Sequence, residues 1–154
     1  MGTQSGRLLD VDLTSGKIST RTVGEEILRD YIGGSGLAAK LFYDDKVPVD
    51  CDPLGFDNHL YILTGPLSGS GLPATPRFSV AAKSPLTGIW GEANCGGNFG
   101  PALKFAGWEG IILRGQSAKP VFLHIEDDQV ELKDASDVWG KDTYETADFL
   151  AQQF

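Results

Sequence analysis

The chain has 154 residues, room for one domain, and carries 13 basic against 21 acidic side chains, a net charge of −8. A composition of 41% hydrophobic and 22% charged residues belongs to a folded domain and speaks against a disordered or fibrous protein. Net acidity argues against a dedicated nucleic-acid binder, and no apolar run approaches the roughly 18–20 residues of a membrane helix.

Met1 to Gly6 hold no apolar stretch, which predicts no secretory leader on this chain. Gly6 to Leu13 reads as a strand, with Leu9, Val11 and Leu13 alternating against Asp10 and Asp12. Thr14-Ser15-Gly16 turns it into a returning strand over Lys17–Val23. Glu25–Ile32 reads as a short helix with Ile27, Leu28, Tyr31 and Ile32 on one face. Gly33-Gly34 breaks it, and Leu37–Tyr43 resumes a helical pattern. Pro48, Pro53 and Gly55 make residues 46–58 a loop.

Leu60–Thr64 is a short apolar strand. Six of the residues from Gly65 to Pro76 are Gly or Pro, which excludes regular structure there. Arg77–Ala82 and Ile89–Ala93 read as strands around a turn at Ser84–Gly88. Asn94–Gly97 reads as a glycine loop and Phe99–Ala106 as a short helix. Strands follow over Gly110–Leu113, Val121–Ile125 and Val130–Leu132, the last two joined at Asp127-Asp128. Asp142 with Glu145 three residues on predicts the capping-box start of a last helix. Tyr144, Ala147, Leu150, Ala151 and Phe154 form its apolar face, and the chain ends on that helix without a cap signal, the expected look of a piece of a longer protein. The fold class this predicts is α+β, mainly antiparallel sheets with a few short helices.

Charge is unevenly spread. Residues 61–121 carry 5 basic and 2 acidic side chains, whereas residues 122–154 carry 2 and 9. The positive middle also holds 11 of the 20 glycines. Such density suits tight turns and, next to positive charge, close approach of backbone to an anionic ligand. One echo runs through the chain: Gly33-Gly34-Ser35-Gly36 and Gly96-Gly97-Asn98-Phe99-Gly100 each lead into a short helix carrying a lysine. Both starts offer free N–H groups to an anion. A duplicated β/α half-domain and chance in a glycine-rich chain both stay open.

Other motifs carry less. Gly34-Ser35-Gly36-Leu37-Ala38-Ala39 has the letters of a dinucleotide fingerprint, but a helix precedes it where a strand is required. Gly69-Ser70-Gly71 lacks the spacing of a nucleophile elbow. His124 sits in a strand-like run and reads as structural. Cys51 and Cys95 are too few for a four-cysteine metal site or a disulfide scaffold and fit a reducing compartment, the cytoplasm. His59 and His124 do not complete a metal cage. The acids between Glu126 and Asp134 read as the solvated edge of a hairpin without a calcium-loop pattern.

The strongest constellation is central. It comprises Thr64-Gly65-Pro66-Leu67-Ser68-Gly69, Pro76-Arg77-Phe78-Ser79-Val80, Lys83-Ser84-Pro85-Leu86-Thr87-Gly88, Ala93-Asn94-Cys95-Gly96-Gly97-Asn98-Phe99-Gly100 and Leu103-Lys104-Phe105-Ala106-Gly107. Flexible backbone, a bidentate-capable arginine and helix-start amides suit phosphate and a polar heterocycle. With Gly6-Arg7-Leu8-Leu9-Asp10-Val11-Asp12-Leu13 and Tyr31-Ile32-Gly33-Gly34-Ser35-Gly36-Leu37-Ala38, these blocks resemble, in order and over essentially the whole chain, the N-terminal domain of the tungsten-containing aldehyde ferredoxin oxidoreductase family.

The resemblance implies that residues 1–154 are most of that domain, truncated, in an enzyme that oxidises aldehydes to carboxylic acids. It implies a tungsten (or molybdenum) bis-pterin whose phosphates share magnesium, and electron transfer through a 4Fe-4S cluster to ferredoxin. By the same resemblance Arg77 lies between pterin and cluster, the backbone carbonyl of Asn94 helps hold magnesium, and Gly96 contacts the pterin through its backbone. Cys95 and Gly97, beside them, are expected to be cofactor-binding as well. Cys95 stands where serine is frequent and Pro101 where a smaller residue is frequent, and Cys95 is not thereby a cluster ligand. The family's arginine- and glycine-rich closing segment, its two helical domains and its four cluster cysteines are not in these residues, so the rest of the same enzyme is an implied partner and the fragment is expected to be inactive alone. The identity of the aldehyde and homo-oligomerisation stay open. Alternatives are a tungsten enzyme of the same superfamily that reduces an aromatic acyl thioester, a non-enzymatic cofactor-binding or assembly module, and a nucleotide-dependent enzyme using the Gly34 loop.

Overall fold

The computed structural model describes residues 5–154; the first four residues, read above for a leader, lie outside them. The elements are β1 (Arg7–Asp12), β2 (Lys17–Thr22), α1 (Glu25–Tyr31), α2 (Gly34–Asp44), β3 (Leu60–Thr64), β4 (Phe78–Lys83), β5 (Trp90–Cys95), α3 (Phe99–Phe105), β6 (Gly110–Arg114), β7 (Val121–Glu126), β8 (Gln129–Asp134) and α4 (Thr143–Gln153). Six strands form one sheet in the order β2-β1-β6-β3-β4-β5, and β7 and β8 form a separate hairpin. Every pairing is antiparallel except β1 with β6, whose register aligns Leu8 with Gly110 and Asp12 with Arg114. The architecture is α+β.

Alternation along the strands sends apolar residues to both faces of the sheet. On one face Leu8, Tyr61, Leu63, Ala81 and Ile112 pack against Leu28 of α1 and Leu37, Ala38 and Leu41 of α2. On the other, Leu9, Val11 and Ile111 pack against Leu103 of α3 and Trp108, with Leu123, Ile125, Val130 and Leu132 of the hairpin closing over them. Burying a side chain of this size contributes about 1.5–3 kcal/mol, so a sheet covered on both faces needs no disulfide. Cys51 and Cys95 are both free thiols.

Local chemistry fixes the corners. The Asp12 carboxylate accepts from the backbone N–H groups of Thr14 and Ser15, which turns β1 into β2. Residues 32–34 do not end the helical segment for long: α2 begins at Gly34, three residues before the predicted start. The junction needs Gly33, whose φ is 154° and whose added Cβ would stand 2.8 Å from the Thr64 carbonyl oxygen. At α4 the predicted capping box is present, with Asp142 accepting from Tyr144 and Glu145 N–H and Glu145 reaching back to the Asp142 N–H. Its residue Phe154 stacks on His124 with ring centroids 4.2 Å apart, which gives His124 the structural place expected of it.

The glycine echo corresponds to a repeat of element order. Each half runs from a hairpin through a helical segment to a central strand: β1-β2, α1 and α2, β3, and then β4-β5, α3 alone, β6. The halves are not superposable copies. β1 lies parallel to β6 while β4 lies antiparallel to β3, and α2 and α3 cover opposite faces. Among the described residues no helix is long and apolar enough to cross a membrane.

Candidate functional site

The C-termini of β3 and β5 and the N-termini of β4 and β6 lie at one end of the sheet, as the antiparallel registers require. β3 leaves at Thr64, whose N–H and hydroxyl both donate to the Glu109 carbonyl oxygen, at 2.9 and 2.8 Å. Beyond it, residues 65–76 are irregular, as their glycines and prolines predict. Ser68 is buried in that segment and its hydroxyl reaches the carbonyls of Thr75 and Arg77.

Arg77 is exposed and enters β4 directly. Among the described residues its guanidinium makes no hydrogen bond or ion pair. Phe78 pairs with Cys95 and Ser79 with Asn94, so the register carried one residue further sets Arg77 beside Gly96. Asn94 and Cys95 belong to strand β5 rather than to the glycine loop that their polarity suggested. As strand neighbours they point to opposite faces. Asn94 shares the face of Ser79, whose hydroxyl donates to its Oδ1 at 3.3 Å. Cys95 is exposed on the other face, with Sγ 3.4 Å from the Gly96 carbonyl oxygen. A Cβ added to Gly96 or Gly97 would meet no atom within 4 Å, so open space borders both.

Both glycine-led helices begin here. The Gly34 end of α2 lies over β4, where an added Cβ would stand 3.2 Å from Ser79 Oγ. No side chain caps α2, so its first N–H groups have no side-chain acceptor. On the opposite face Gly100 of α3 packs against the Pro76 carbonyl, at 3.3 Å from an added Cβ. Of the two acids in the positive middle segment, Glu109 is buried and paired with Lys104 at 2.7 Å, so its charge is neutralised inside the protein. Sequence reading did not anticipate roles for Ser68, Ser79 or Glu109; Ser79 alone had a signal, two residues past Arg77 on the same side of an alternating strand.

A second polar cluster lies at the other end of α2, about 16 Å away at 1.5 Å per helical residue. Arg21 donates to Asp45 Oδ1 at 2.7 Å and the Tyr61 hydroxyl to Asp45 Oδ2 at 2.8 Å, with His59 beside both. Burial alone would raise the Asp45 carboxyl, but the His59 ring 3.8 Å away and hydrogen bonds from Tyr61 and Arg21 outweigh it and hold it at about 2. Burial and the Asp45 carboxylate push the Tyr61 hydroxyl well above its ordinary value. Asp10 and Arg114 complete the cluster through a 2.8 Å ion pair. Every polar group here has a partner within the fold, which marks a structural network. No group of three His, Cys, Asp or Glu side chains among the described residues is arranged to hold a metal.

With that geometry in hand, similarity to known proteins becomes informative. The family model described as aldehyde ferredoxin oxidoreductase, N-terminal domain, matches residues 8–154. A tungsten-containing aldehyde ferredoxin oxidoreductase of Thermococcus kodakarensis is 47% identical over 92% of the chain, and the chain spans 23% of that relative. The WOR-like subunit of an aliphatic sulfonate oxidoreductase from Pyrococcus furiosus is 40% identical over 88% of the chain and 22% of its own length. A solved structure, the active site complex BamBC of benzoyl coenzyme A reductase with 1,5-dienoyl-CoA, superposes with a TM-score of 0.92 at 37% identity, over 99% of this chain and 23% of that one. The chain thus spans under a quarter of the length of the proteins it matches.

Proposed function

This chain belongs to the aldehyde ferredoxin oxidoreductase family as its N-terminal domain, and we propose that it forms one wall of a tungsten–pterin site in a longer oxidoreductase. The observation that supports this reading is the convergence on one end of the sheet of a guanidinium without a partner among the described residues, open glycine backbone and a helix start without a side-chain cap. Those donors fit a doubly phosphorylated heterocycle. The guanidinium of Arg77 is free to give planar, paired hydrogen bonds to it and to offset negative charge. The flat backbone at Gly96 and Gly97 admits a ring system that a side chain would exclude. A hard carbonyl oxygen, as at Asn94, suits magnesium between phosphates.

When bound, the tungsten–pterin group supplies a Lewis acid and a two-electron acceptor. This chain's residues bind and orient: Arg77 donates, Ser79 fixes the Asn94 side chain, and Gly96 and Gly97 permit approach. None of them is placed to carry a proton. The reaction we propose for the whole enzyme is oxidation of an aldehyde to a carboxylic acid, with electrons leaving through a 4Fe-4S cluster to ferredoxin. Arg77 then serves as the donor between pterin and cluster, tuning both by charge and hydrogen bonding. Cys95 is exposed on the strand face opposite to Asn94.

A second reading is favoured by a specific finding, the 37% identity to a benzoyl coenzyme A reductase structure. On that reading the same wall serves reduction of an aromatic acyl thioester. The purified full-length enzyme distinguishes the two. Aldehyde-dependent reduction of ferredoxin, with no turnover of benzoyl-CoA, is the expected result. Benzoyl-CoA reduction without aldehyde oxidation would establish the second reading, and a full-length protein free of tungsten and pterin would overturn both.

A further inference from the structure

We propose that Ser68 is a positioning residue that aims the Arg77 guanidinium, acting through the Arg77 backbone; this rests on the reading of Arg77 given above. Ser68 is a hydroxyl at 1% exposure inside an otherwise open segment. Its Oγ lies 2.9 Å from the Arg77 carbonyl oxygen and 3.2 Å from that of Thr75, so one donated hydrogen spans both ends of the Thr75-Pro76-Arg77 step. The Ser68 N–H donates in turn to the Gly65 carbonyl at 3.2 Å, which ties the clamp to the end of β3.

The start of α3 packs against the same step, beside the Ser68 hydroxyl. A Cβ added to Gly100 would stand 3.3 Å from the Pro76 oxygen, 3.6 Å from Ser68 Oγ and 3.7 Å from the Arg77 carbonyl carbon. The backbone of residues 76–77 therefore rests against a buried hydroxyl and an adjoining helix start. Pro76 fixes its own φ and restricts the residue before it, which leaves the 76–77 peptide as the joint to be held. Arg77 itself has no side-chain partner among the described residues, so there its backbone is what the fold holds. Donor geometry matters at this level because a displacement of about 1 Å in a positioning group is enough to spoil a preorganised contact.

The test uses the full-length, cofactor-loaded enzyme with Ser68→Ala, Arg77→Lys and the double variant. Amide hydrogen exchange is followed at Phe78 and Ser79, and the midpoint potential of the cluster is titrated. We expect Ser68→Ala to speed exchange at these two amides at least tenfold and to move the potential in the same direction as Arg77→Lys. We expect the double variant to move it no further. A Ser68→Ala enzyme with wild-type potential beside a shifted Arg77→Lys enzyme would overturn the proposal, as would shifts that add in the double variant. Should Arg77→Lys leave both the potential and the tungsten content at wild-type values, the reading of Arg77 itself falls, and this inference with it. If Ser68→Ala does not fold, Gly100→Ala takes its place in the same cycle, since its methyl presses on the Pro76 carbonyl, with the same two deciding outcomes.

Discussion

Asp45 shows how single residues hold this domain together. Its carboxyl collects Arg21, Tyr61 and His59 and is held at about 2 against an ordinary 3.8. A depressed carboxylate contributes stability that is fully present above the unfolded value and is lost as pH falls through the folded one. The domain should therefore lose about 1–2 kcal/mol between pH 5 and pH 2 through this group, allowing for solvent screening. Urea midpoints measured across that range check this, and Asp45→Asn should flatten the slope while lowering stability at pH 7. Tyr61→Phe leaves a carboxylate lone pair unpaired and should cost about 1–3 kcal/mol at pH 7. An unchanged midpoint would show that solvent replaces the hydroxyl.

At the scale of elements, the junction between β3 and β6 is the tightest in the sheet. A Cβ on Gly110 would collide with the Leu63 side chain and stand 2.5 Å from the Ile62 carbonyl oxygen, both on β3. Overpacking of backbone against backbone has no flexible neighbour to yield. Gly110→Ala should cost about 3 kcal/mol or more and lower the urea midpoint accordingly. The element boundaries were readable where one face is buried. The β1–β2 hairpin follows from Leu9, Val11 and Leu13 and the Thr14-Ser15-Gly16 turn, and the α4 start follows from Asp142 and Glu145. β5 was read two residues short because Asn94 and Cys95 lie on an exposed edge, where no apolar alternation reports the strand. The parallel pairing of β1 with β6 joins residues about a hundred positions apart, and no local pattern encodes such a partner choice. Arg77, Asn94 and Gly96 could be picked out from the order of motifs. Ser68 could not, since a serine buried by tertiary packing looks in sequence like any loop serine, whereas Ser79 had the alternation of β4 as its signal.

For the whole molecule, the surface tells the same story as the length of the relatives. Leu67, Leu72, Phe99 and Phe105 are exposed in the segments bordering the candidate site, and Val49, Leu54, Phe56 and Ile89 beyond it. Apolar surface of this extent is ordinarily covered by another domain or partner. On the proposed reading, the described residues at the site bind and orient, and none of them is placed to transfer a proton. The purified 154-residue chain should accordingly show no aldehyde oxidation; ferredoxin or dye reduction by it in the presence of aldehyde would contradict this.

The central claim is that the glycine floor beside Arg77 receives a ligand, and Gly96 tests it most directly. A Cβ there would meet no atom of the described residues within 4 Å, so Gly96→Val should leave the fold intact and obstruct what lies in the open space. Tungsten measured by plasma mass spectrometry and pterin measured by fluorescence after oxidation, on the full-length Gly96→Val enzyme, should fall at least fivefold at an unchanged melting temperature. Wild-type tungsten and pterin in that variant would contradict the account.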